Sequence, residues 1–390
     1  MAHIEVRGWR LEGVGYLPLK VIIAGGGTGG HIYPGIAIAK QIKQNIKDAD
    51  ILFVGTQRGL EKDIVPRAGF ALRFINVTGF KRKISFDTVK SISALTKGML
   101  QARKIIKQFK PDIVIGTGGY VCGPVVLCAA LYKIPTLIHE QNALPGITNK
   151  LLSRFADVTA VSFEDSKKYF CKAKKIVVTG NPLRSEIIQA NRQKSRSDKG
   201  IKESNRLVLI AGGSGGAQKL NDAVVDMLTE SYNSKDFQVI FATGHTRYDT
   251  VIRDIKDKNP EILEHSNISI LPYIYDMETV MSAADLMITR AGAITISELT
   301  ALGVPSIIIP SPNVTENHQE YNARALETKG AAIVILEKDL NGKALHDSIM
   351  GLLFDNGRLN KMRDSAKAMG MTDSTQRIFK EAEALIKKVW

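Results

Sequence analysis

The chain has 390 residues, which is enough for two domains of ordinary size, each with its own core. With 44% hydrophobic and 24% charged residues it has the composition of a globular protein, and no run approaches the roughly 18 apolar residues of a membrane span. The net charge of +14 fits an anionic partner or an excess of solvated lysine. The three cysteines include no CxxC pair, which argues against a disulfide framework and a structural zinc site.

Residues 1–18 precede the first strand-like segment. They lack a compact apolar stretch followed by a small-residue cleavage site, so they do not resemble a signal peptide. We predict that residues 1–18 are an extension that is poorly ordered, and that the first strand begins near Lys20.

Short apolar runs then alternate with longer helix-like segments. The predicted strands of the first half are 20–24, 51–54, 113–115, 136–139, 158–160 and 176–178. Those of the second half are 207–210, 238–241, 268–271, 286–288, 306–309 and 333–336. Because these runs are apolar at consecutive positions, they are typical of strands buried on both faces of a parallel sheet. Helices between them would cover those faces, which predicts an α/β, doubly wound class.

Two segments about half a chain apart resemble one another. Residues 19–31 read LKVIIAGGGTGGH, and residues 206–218 read RLVLIAGGSGGAQ. Each combines a strand, a glycine-rich loop and a helix start. We therefore predict two Rossmann-like domains, 19–183 and 184–372, with a final helix at 373–390 that packs back on the first domain. The polar stretch 192–205 is interpreted as a surface loop of the second domain.

The glycine loops indicate phosphate binding, because glycines let backbone N–H groups approach a phosphate at a helix N-terminus. Gly25, Gly27 and Gly30 also satisfy the G-x-G-x-x-G pattern of dinucleotide-binding dehydrogenases. That pattern needs an acidic residue at the end of the second strand, whereas residues 54–58 read VGTQR. Arg58 leaves an NADP-dependent dehydrogenase open as an alternative, and a purely structural turn is another.

Polar or glycine-rich clusters follow several other predicted strands, at the carboxyl ends where ligands bind in open α/β sheets. They are residues 116–119, 139–142, 180–184 and 290–298. Any one alone could be an ordinary capped turn. A carboxylate such as Glu298 can accept two ribose hydroxyls or simply complement a helix end. Amides such as Gln319 and Asn322 suit sugar hydroxyls. The D-x-D at 48–50 lies at the start of a strand, and we expect no metal site.

Six motifs occur in a fixed order over residues 25–323. They are GGGTGGH at 25–31, HEQN at 139–142, GNPLR at 180–184, GGSGGA at 212–217, RAGAITISE at 290–298 and HQEYNA at 318–323. Together they resemble the MurG family of peptidoglycan N-acetylglucosaminyltransferases. The resemblance implies a GT-B fold, in which two Rossmann-like domains face a cleft. It also implies inverting transfer of N-acetylglucosamine from UDP-N-acetylglucosamine to the undecaprenyl-linked acceptor lipid I, which makes lipid II for the cell wall.

The resemblance further implies which residues bind the donor, without a cofactor or a metal. Ser214 would contact the diphosphate, the backbone of Ile274 would read the uracil, and Gln319 would meet the hexose. The helix from Ala293 to Glu298 would hold diphosphate and ribose. The whole predicted set is Thr28, Gly29, Gly30, Asn142, Arg184, Ser214, Ile274, Ala293, Ile294, Thr295, Glu298, Gln319 and Asn322. One departure is His318, where some members carry a glutamine.

His31 closes the first glycine loop and is the candidate general base for the acceptor hydroxyl. The positive end of the following helix, predicted to begin near Tyr33, would keep its imidazole neutral. The alternative is a structural role in shaping the loop.

The resemblance also implies a peripheral enzyme at the cytoplasmic face of the bacterial cell membrane. The predicted membrane contact is Phe80, Lys81, Arg82, Lys83, Ile84 and Phe86, which combines cations for anionic lipids with apolar side chains that could insert. A solvated loop is the alternative. The net charge also leaves a non-catalytic nucleotide-sugar or nucleic-acid binder as an alternative class. Since no aromatic–basic interleaving is present, we expect no nucleic-acid partner.

Overall fold

A computed structural model describes residues 18–77, 86–213, 215–231 and 237–388, with the backbone alone for residues 86–95 and Thr315. The described chain forms two compact units. Unit 1 contains the residues up to Pro182 together with those from Asp373 onward, and unit 2 runs from Leu183 to Thr372. The predicted extension therefore lies outside the described residues, apart from Pro18.

Unit 1 is built on a parallel sheet of seven described strands in the order β3-β2-β1-β4-β5-β6-β7. Alternate residues of β1 pack into different cores: Val21 and Ile23 face one, and Ile22 and Ala24 face the other. This explains the consecutive apolar run. Because β1 pairs with β2 on one side and β4 on the other, the loops after β1 and β4 meet at the switch point of the sheet. The strands are β1 Lys20–Ala24, β2 Asp50–Gly55, β3 Ala71–Phe74, β4 Ile113–Gly116, β5 Thr136–Glu140, β6 Val158–Val161 and β7 Ile176–Val178.

Helices cover both faces of this sheet. They are α1 Gly29–Asn45, α2 Glu61–Arg67, α3 Phe86–Phe109, α4 Cys122–Leu131, α5 Ile147–Leu152, a 3-10 helix Glu164–Tyr169 and, after unit 2, α15 Ser374–Lys387. The apolar side of α15 joins the same core as α1 through Ile378, Ala382 and Ile386. An ion pair of 2.5 Å between Lys175 and Glu381 ties α15 to the residue before β7.

Unit 2 repeats the plan with six described parallel strands in the order β10-β9-β8-β11-β12-β13. Its strands are β8 Arg206–Ala211, β9 Phe237–Ala242, β10 Ile268–Leu271, β11 Leu286–Thr289, β12 Ser306–Ile308 and β13 Ala332–Val334. Its helices are α6 Ser185–Gln189, α7 Arg192–Asp198, α8 Gln218–Ser231, α9 Tyr248–Lys258, α10 Met277–Ala283, α11 Ala293–Leu302, α12 His318–Glu327, α13 Gly342–Leu353 and α14 Asn356–Met369, with 3-10 helices Pro260–Glu264 and Thr315–Asn317. The predicted α/β class with two parallel sheets is confirmed.

Three elements differ from the sequence prediction. Helix α1 begins at Gly29, one turn before Tyr33, so two glycines form its first turn. The edge strand β3 was not in the predicted set, because three of its four residues are exposed and it has no apolar run. The stretch 192–205, interpreted as a surface loop, begins with the helix α7.

Helix α7 is held by a buried carboxylate at the start of β11. Asp285 is 1% exposed and lies 2.7 Å from Arg192, 3.1 Å from Arg196 and 3.2 Å from Arg206, and it also accepts a hydrogen bond from the Leu207 N–H. The guanidiniums thus compensate a charge that would be costly to bury alone. This tertiary contact, rather than an apolar face, makes the polar segment helical. No helix in the described part of the chain combines the length and apolarity needed to cross a bilayer.

Asp285→Ala is expected to destabilise unit 2 by about 3–5 kcal/mol, because it leaves the buried Arg196 guanidinium and the part-buried Arg192 and Arg206 without their carboxylate. Urea unfolding, with hydrogen exchange of the β8 and β11 amides, measures the loss. The matched control is Asp226→Ala, which removes an exposed ion pair with Lys258 and should cost less than about 1 kcal/mol. Equal effects of the two substitutions would contradict an anchoring role for Asp285.

Candidate functional site

Unit 2 contains a cavity of about 540 Å³ at the carboxyl ends of β8 and β11. These strands are neighbours at the switch point of the sheet, since β8 pairs with β9 on its other side. The second glycine loop forms one wall through Gly212, Gly213 and Gly216. The segments that follow β11 and β12 form the others. The cavity therefore lies where doubly wound sheets bind ligands.

Two helices begin at this cavity. Gln218 and Lys219 line it from the start of α8, and Gly292 and Thr295 line it from the start of α11. The first N–H groups of a helix lack partners within the helix, so its N-terminal end carries partial positive charge. Lys219 adds a full charge. Such a cavity suits a phosphate or diphosphate.

Arg290 supplies a second cation to the cavity wall. Its guanidinium donates to the carbonyl groups of Ile309 and Pro310, at 3.2 and 3.4 Å, and pairs with Glu337 at 2.5 Å. Glu337 also lines the cavity. These contacts fix the guanidinium before any ligand binds, which removes the entropy cost of ordering it later.

Two predicted amides have different environments. Gln319 lines the cavity, and its Oε1 accepts the Ser311 N–H at 2.9 Å, which leaves the amide NH₂ as the group that can donate to a ligand. Asn322 is 0% exposed and donates to the Ala291 carbonyl at 3.2 Å. This hydrogen bond supports the turn before α11, and the substrate contact of Asn322 stays a prediction.

Two further predicted residues, Arg184 and Glu298, pair with each other. Arg184 Nε and one terminal nitrogen lie 3.3 and 3.2 Å from the same Glu298 oxygen, and Glu278 lies 3.4 Å from the other nitrogen. Burial raises the pKa of Glu298, and the neighbouring Arg184 opposes that shift. Glu298 is thus a buried acceptor that is already oriented, although neither residue lines the cavity described above.

In unit 1, the first glycine loop orients His31. Its Nδ1 lies 3.1 Å from the Gly26 carbonyl oxygen and 3.3 Å from Thr28 Oγ1. A carbonyl group can only accept, so this contact places the ring proton on Nδ1. In the neutral ring Nε2 then carries the lone pair, which is the arrangement a general base requires.

The third glycine cluster leaves room for this imidazole. Gly118 and Gly119 have positive φ angles of 106° and 81°. A Cβ on Gly118 would lie 2.6 Å from His31 Cδ2, and one on Gly119 would lie 2.5 Å from the Gly26 carbonyl oxygen. A side chain at either position would displace His31 or its partner.

The HEQN motif forms a buried polar network after β5. Glu140 accepts hydrogen bonds from the backbone and side chain of Asn142, at 3.0 and 3.2 Å, and from Asn149. His139 is 0% exposed, and its Nε2 donates to the Gly180 carbonyl while Nδ1 lies 3.0 Å from the Gln141 amide nitrogen. Burial lowers the pKa of His139 to about 4, so this histidine remains neutral at physiological pH. The network positions Asn142 at the strand end.

The side chain of a buried glutamate contacts the first glycine loop. Glu61 accepts the Gly27 N–H at 2.9 Å and both donors of Thr56 at 2.8 Å. The carboxylate of Glu61, from the first turn of α2, therefore lies at the end of β2, although residues 54–58 themselves contain no acid. Because Glu61 is 0% exposed, a ribose cannot reach it.

The two halves of the sequence match the two domain models of one enzyme family. Residues 21–161 match the glycosyltransferase family 28 N-terminal domain, and residues 207–378 match the family 28 C-terminal domain. The chain belongs to glycosyltransferase family 28. This decides for a glycosyltransferase and against the dehydrogenase and the non-catalytic binder.

Named relatives of this family 28 chain cover nearly all of it. It is 55% identical over 361 residues, 93% of the chain and 98% of the relative, to the UDP-N-acetylglucosamine–N-acetylmuramyl-(pentapeptide) pyrophosphoryl-undecaprenol N-acetylglucosamine transferase of Caldanaerobacter subterraneus. It is 53% identical to the protein of that name from Acetivibrio thermocellus, over 95% of the chain and 99% of the relative. The crystal structure of Acinetobacter baumannii MurG is similar, with a TM-score of 0.76, 28% identity and coverage of 95% of this chain and 100% of that one.

In this family 28 member, the predicted residues are distributed as follows. Thr295 and Gln319 line the cavity of unit 2, and Ala293 and Ile294 form the first turn of α11 beside it. The side chain of Ile274 is 3% exposed, so its backbone is the part that a ligand could meet. The predicted residues of unit 1 lie at the switch point of its sheet or at the adjoining strand end: Thr28, Gly29, Gly30, His31 and Asn142.

Several predicted residues lie outside the described residues. They are Ser214 of the second loop and the membrane-contact residues Phe80, Lys81, Arg82, Lys83 and Ile84, while only the backbone of Phe86 is described.

Several residues that line the cavity of unit 2 were not predicted from the sequence. Arg290 belongs to a recognised motif but was given no role, and Lys219 directly follows the second loop. A cation next to a phosphate-type loop could have been proposed from sequence. Glu337 and the other missed residues come from segments that only the tertiary fold brings together: Thr289, Ser311 and Asn313. Within the described ranges, no group of three or more His, Cys, Asp or Glu side chains is placed to hold a metal ion.

Proposed function

We propose that this family 28 enzyme transfers N-acetylglucosamine from UDP-N-acetylglucosamine to undecaprenyl-diphosphate-N-acetylmuramoyl-pentapeptide (lipid I), with inversion, to form lipid II for peptidoglycan synthesis. The observation that carries the proposal is 55% identity, over 93% of the chain, to a transferase named for that donor and acceptor. The cavity of unit 2 supports it independently, because two helix N-termini, Lys219 and Arg290 with its partner Glu337 line it and the donor contains a diphosphate.

The donor diphosphate is assigned to the unit 2 cavity. As the bond from the anomeric carbon to UDP breaks, negative charge grows on the diphosphate. The N-termini of α8 and α11, Lys219 and Arg290 stabilise charge at that position. Glu298 accepts from the ribose hydroxyls, and the Gln319 amide donates to a hexose hydroxyl.

Unit 1 supplies the base. The acceptor hydroxyl oxygen attacks the anomeric carbon from the face opposite to UDP, which inverts its configuration. The hydroxyl proton passes to Nε2 of His31, whose lone pair is set by the contact between Nδ1 and the Gly26 carbonyl. His139 cannot replace it as a base of ordinary strength, because its pKa is about 4 and both ring nitrogens have partners inside the network.

Donor binding is tested by calorimetric titration of the purified protein with UDP-N-acetylglucosamine and with NADPH in parallel. We expect binding of the nucleotide sugar and none of NADPH. Glu298→Ala should raise the KM for UDP-N-acetylglucosamine, since a charge-assisted hydrogen bond contributes about 1.5–3 kcal/mol, or roughly 10- to 150-fold.

The control for Glu298 is Glu327→Ala, which removes a glutamate from an exposed ion pair with Arg324 in the same unit. It should leave donor affinity unchanged. A change of less than about twofold for Glu298→Ala would make Glu298 a helix residue without a donor contact. Binding of NADPH alone would overturn the proposed function.

His31→Ala should lower kcat by about 10²–10⁴, which is the usual contribution of a general base. Turnover of a soluble lipid I analogue, measured from pH 5.5 to 9, gives the diagnostic result. Protonated His31 cannot accept a proton, so wild-type kcat falls toward acid pH, and this acidic limb should vanish in His31→Ala while donor binding is kept. A slow variant that retains the limb would assign the proton transfer to another group.

A peripheral contact of unit 1 with anionic lipid at the cytoplasmic membrane face is part of the proposal. The predicted segment, residues 80–86, combines three cations with apolar side chains. The described helices α4 and α5 and their ends add exposed apolar side chains, each 40–66% exposed: Leu131, Tyr132, Ile147, Leu151 and Phe155. Lys133 and Arg154 lie next to them in the chain. Apolar groups flanked by cations suit the interface of an anionic bilayer.

Replacing Lys81, Arg82 and Lys83 by glutamate should weaken sedimentation with anionic vesicles at low salt. Each cation near such a surface contributes about 1 kcal/mol, so loss of the three attractions alone amounts to roughly 100-fold. The matched control makes the same change of charge at Lys256, Lys343 and Lys361, which are exposed on unit 2. Unchanged vesicle binding by the first variant, or equal loss in the control, would contradict this membrane contact.

A further inference from the structure

The buried carboxylate of Glu61 has no role in the steps above, although it is hydrogen-bonded directly to the first glycine loop. Its three hydrogen bonds come from the Gly27 N–H and from the N–H and hydroxyl of Thr56, all at 2.8–2.9 Å. These contacts satisfy a carboxylate in a site that is 0% exposed.

Three glycines make the space for this carboxylate. A Cβ on Gly26, Gly55 or Gly59 would lie 2.4, 2.5 or 2.0 Å from an atom of Glu61. None of the three has a positive φ angle. They are therefore required for space rather than for backbone conformation, and the loop after β1, the end of β2 and the start of α2 are fitted to one side chain.

The peptide unit between Gly26 and Gly27 connects Glu61 to His31. Its N–H donates to Glu61 Oε2 at 2.9 Å, and its carbonyl oxygen lies 3.1 Å from His31 Nδ1. Hydrogen bonds in series polarise one another, and a carboxylate acceptor makes the amide carbonyl a stronger acceptor in turn. The negative charge of Glu61 therefore acts on the His31 ring through one amide.

We propose that Glu61 is the positioning residue of His31: through the Gly26–Gly27 peptide it fixes the Nδ1–H tautomer and stabilises the imidazolium that forms when Nε2 takes the acceptor proton. This rests on the proposed role of His31 as the base. No proton moves through the peptide, and the acceptor proton remains on Nε2. The arrangement resembles the carboxylate that orients the histidine of a catalytic triad, with an amide inserted between the two side chains.

The test compares Glu61→Gln with the wild type. Glutamine has the same shape as glutamate and retains one acceptor oxygen, which can accept from both donors of Thr56. The glutamine NH₂ then faces the Gly27 N–H, which loses its acceptor. The matched control is Asp157→Asn. Asp157 accepts the N–H and the hydroxyl of a single threonine, Thr136, at 2.9 and 3.0 Å, at the opposite end of the same sheet.

We expect Glu61→Gln to lower kcat by about 10- to 100-fold, as loss of an orienting partner does for other functional histidines. The acidic limb of kcat should move to lower pH, because the imidazolium loses the charge that stabilises it. The KM for UDP-N-acetylglucosamine should change by less than about twofold, and Asp157→Asn should behave as the wild type. In ¹⁵N NMR spectra His31 should be the Nδ1–H tautomer in the wild type and lose that preference in Glu61→Gln.

If Glu61 only stabilised the fold of the first glycine loop, the measurements would give different results. The positioning role of Glu61 is overturned if Glu61→Gln keeps the wild-type kcat and the wild-type tautomer of His31. It is equally overturned if the variant loses activity while the acidic limb of kcat stays at the same pH. It is also overturned if wild-type His31 carries its proton on Nε2, a measurement that does not require the variant to fold. Failure of the wild type to transfer the sugar would contradict the proposed function instead. In that case a tautomer shift in Glu61→Gln would still support the link between Glu61 and His31.

Discussion

A strand of a parallel sheet must leave the sheet through a connection at its carboxyl end, and the backbone groups of that turn must find partners. Both units meet this constraint with a glycine loop after the first strand of the unit, β1 or β8, which is an interior strand of its sheet. The two loops are nearly the same in sequence but differ in partner. In unit 1 an internal carboxylate, Glu61, takes a loop N–H. In unit 2 the loop lines a cavity with two cations, Lys219 and Arg290. The first loop is thus held by a side chain of the protein, and the second lines a cavity.

The polar motifs at the other strand ends hold the backbone turns that follow β4, β5 and β11. Glu140 holds Asn142, Asn322 holds the turn before α11, and the Gln141 amide donates to the Thr117 carbonyl beside the third glycine cluster. Buried polar groups are costly unless bonded, so a network of this kind fixes one arrangement of the backbone. Several polar side chains of these motifs are therefore bonded to groups of the protein itself.

The elements that could be predicted from the sequence are those whose structure is determined by neighbouring residues in the chain. Consecutive apolar runs located the buried strands, and the glycines after them located the loops. The edge strand β3 was missed because its exposed residues leave no apolar run, and α7 was misread because Asp285, on a distant element, holds it. In the site, Glu61 and Glu337 were missed for the same reason: only tertiary structure brings each carboxylate to its loop or cavity.

The carboxylate and the imidazole assigned to the reaction respond to pH through different kinetic constants. Burial raises the pKa of Glu298, with Arg184 in opposition, so this carboxylate takes up a proton at a higher pH than an exposed glutamate would. In the proposed reaction, a protonated Glu298 offers one fewer charged acceptor to the ribose, which weakens donor binding and raises KM. In the same proposal, protonation of His31 removes the base and lowers kcat. The proposal therefore has acid pH act on unit 2 through binding and on unit 1 through chemistry, so that measuring KM and kcat separately distinguishes the two effects.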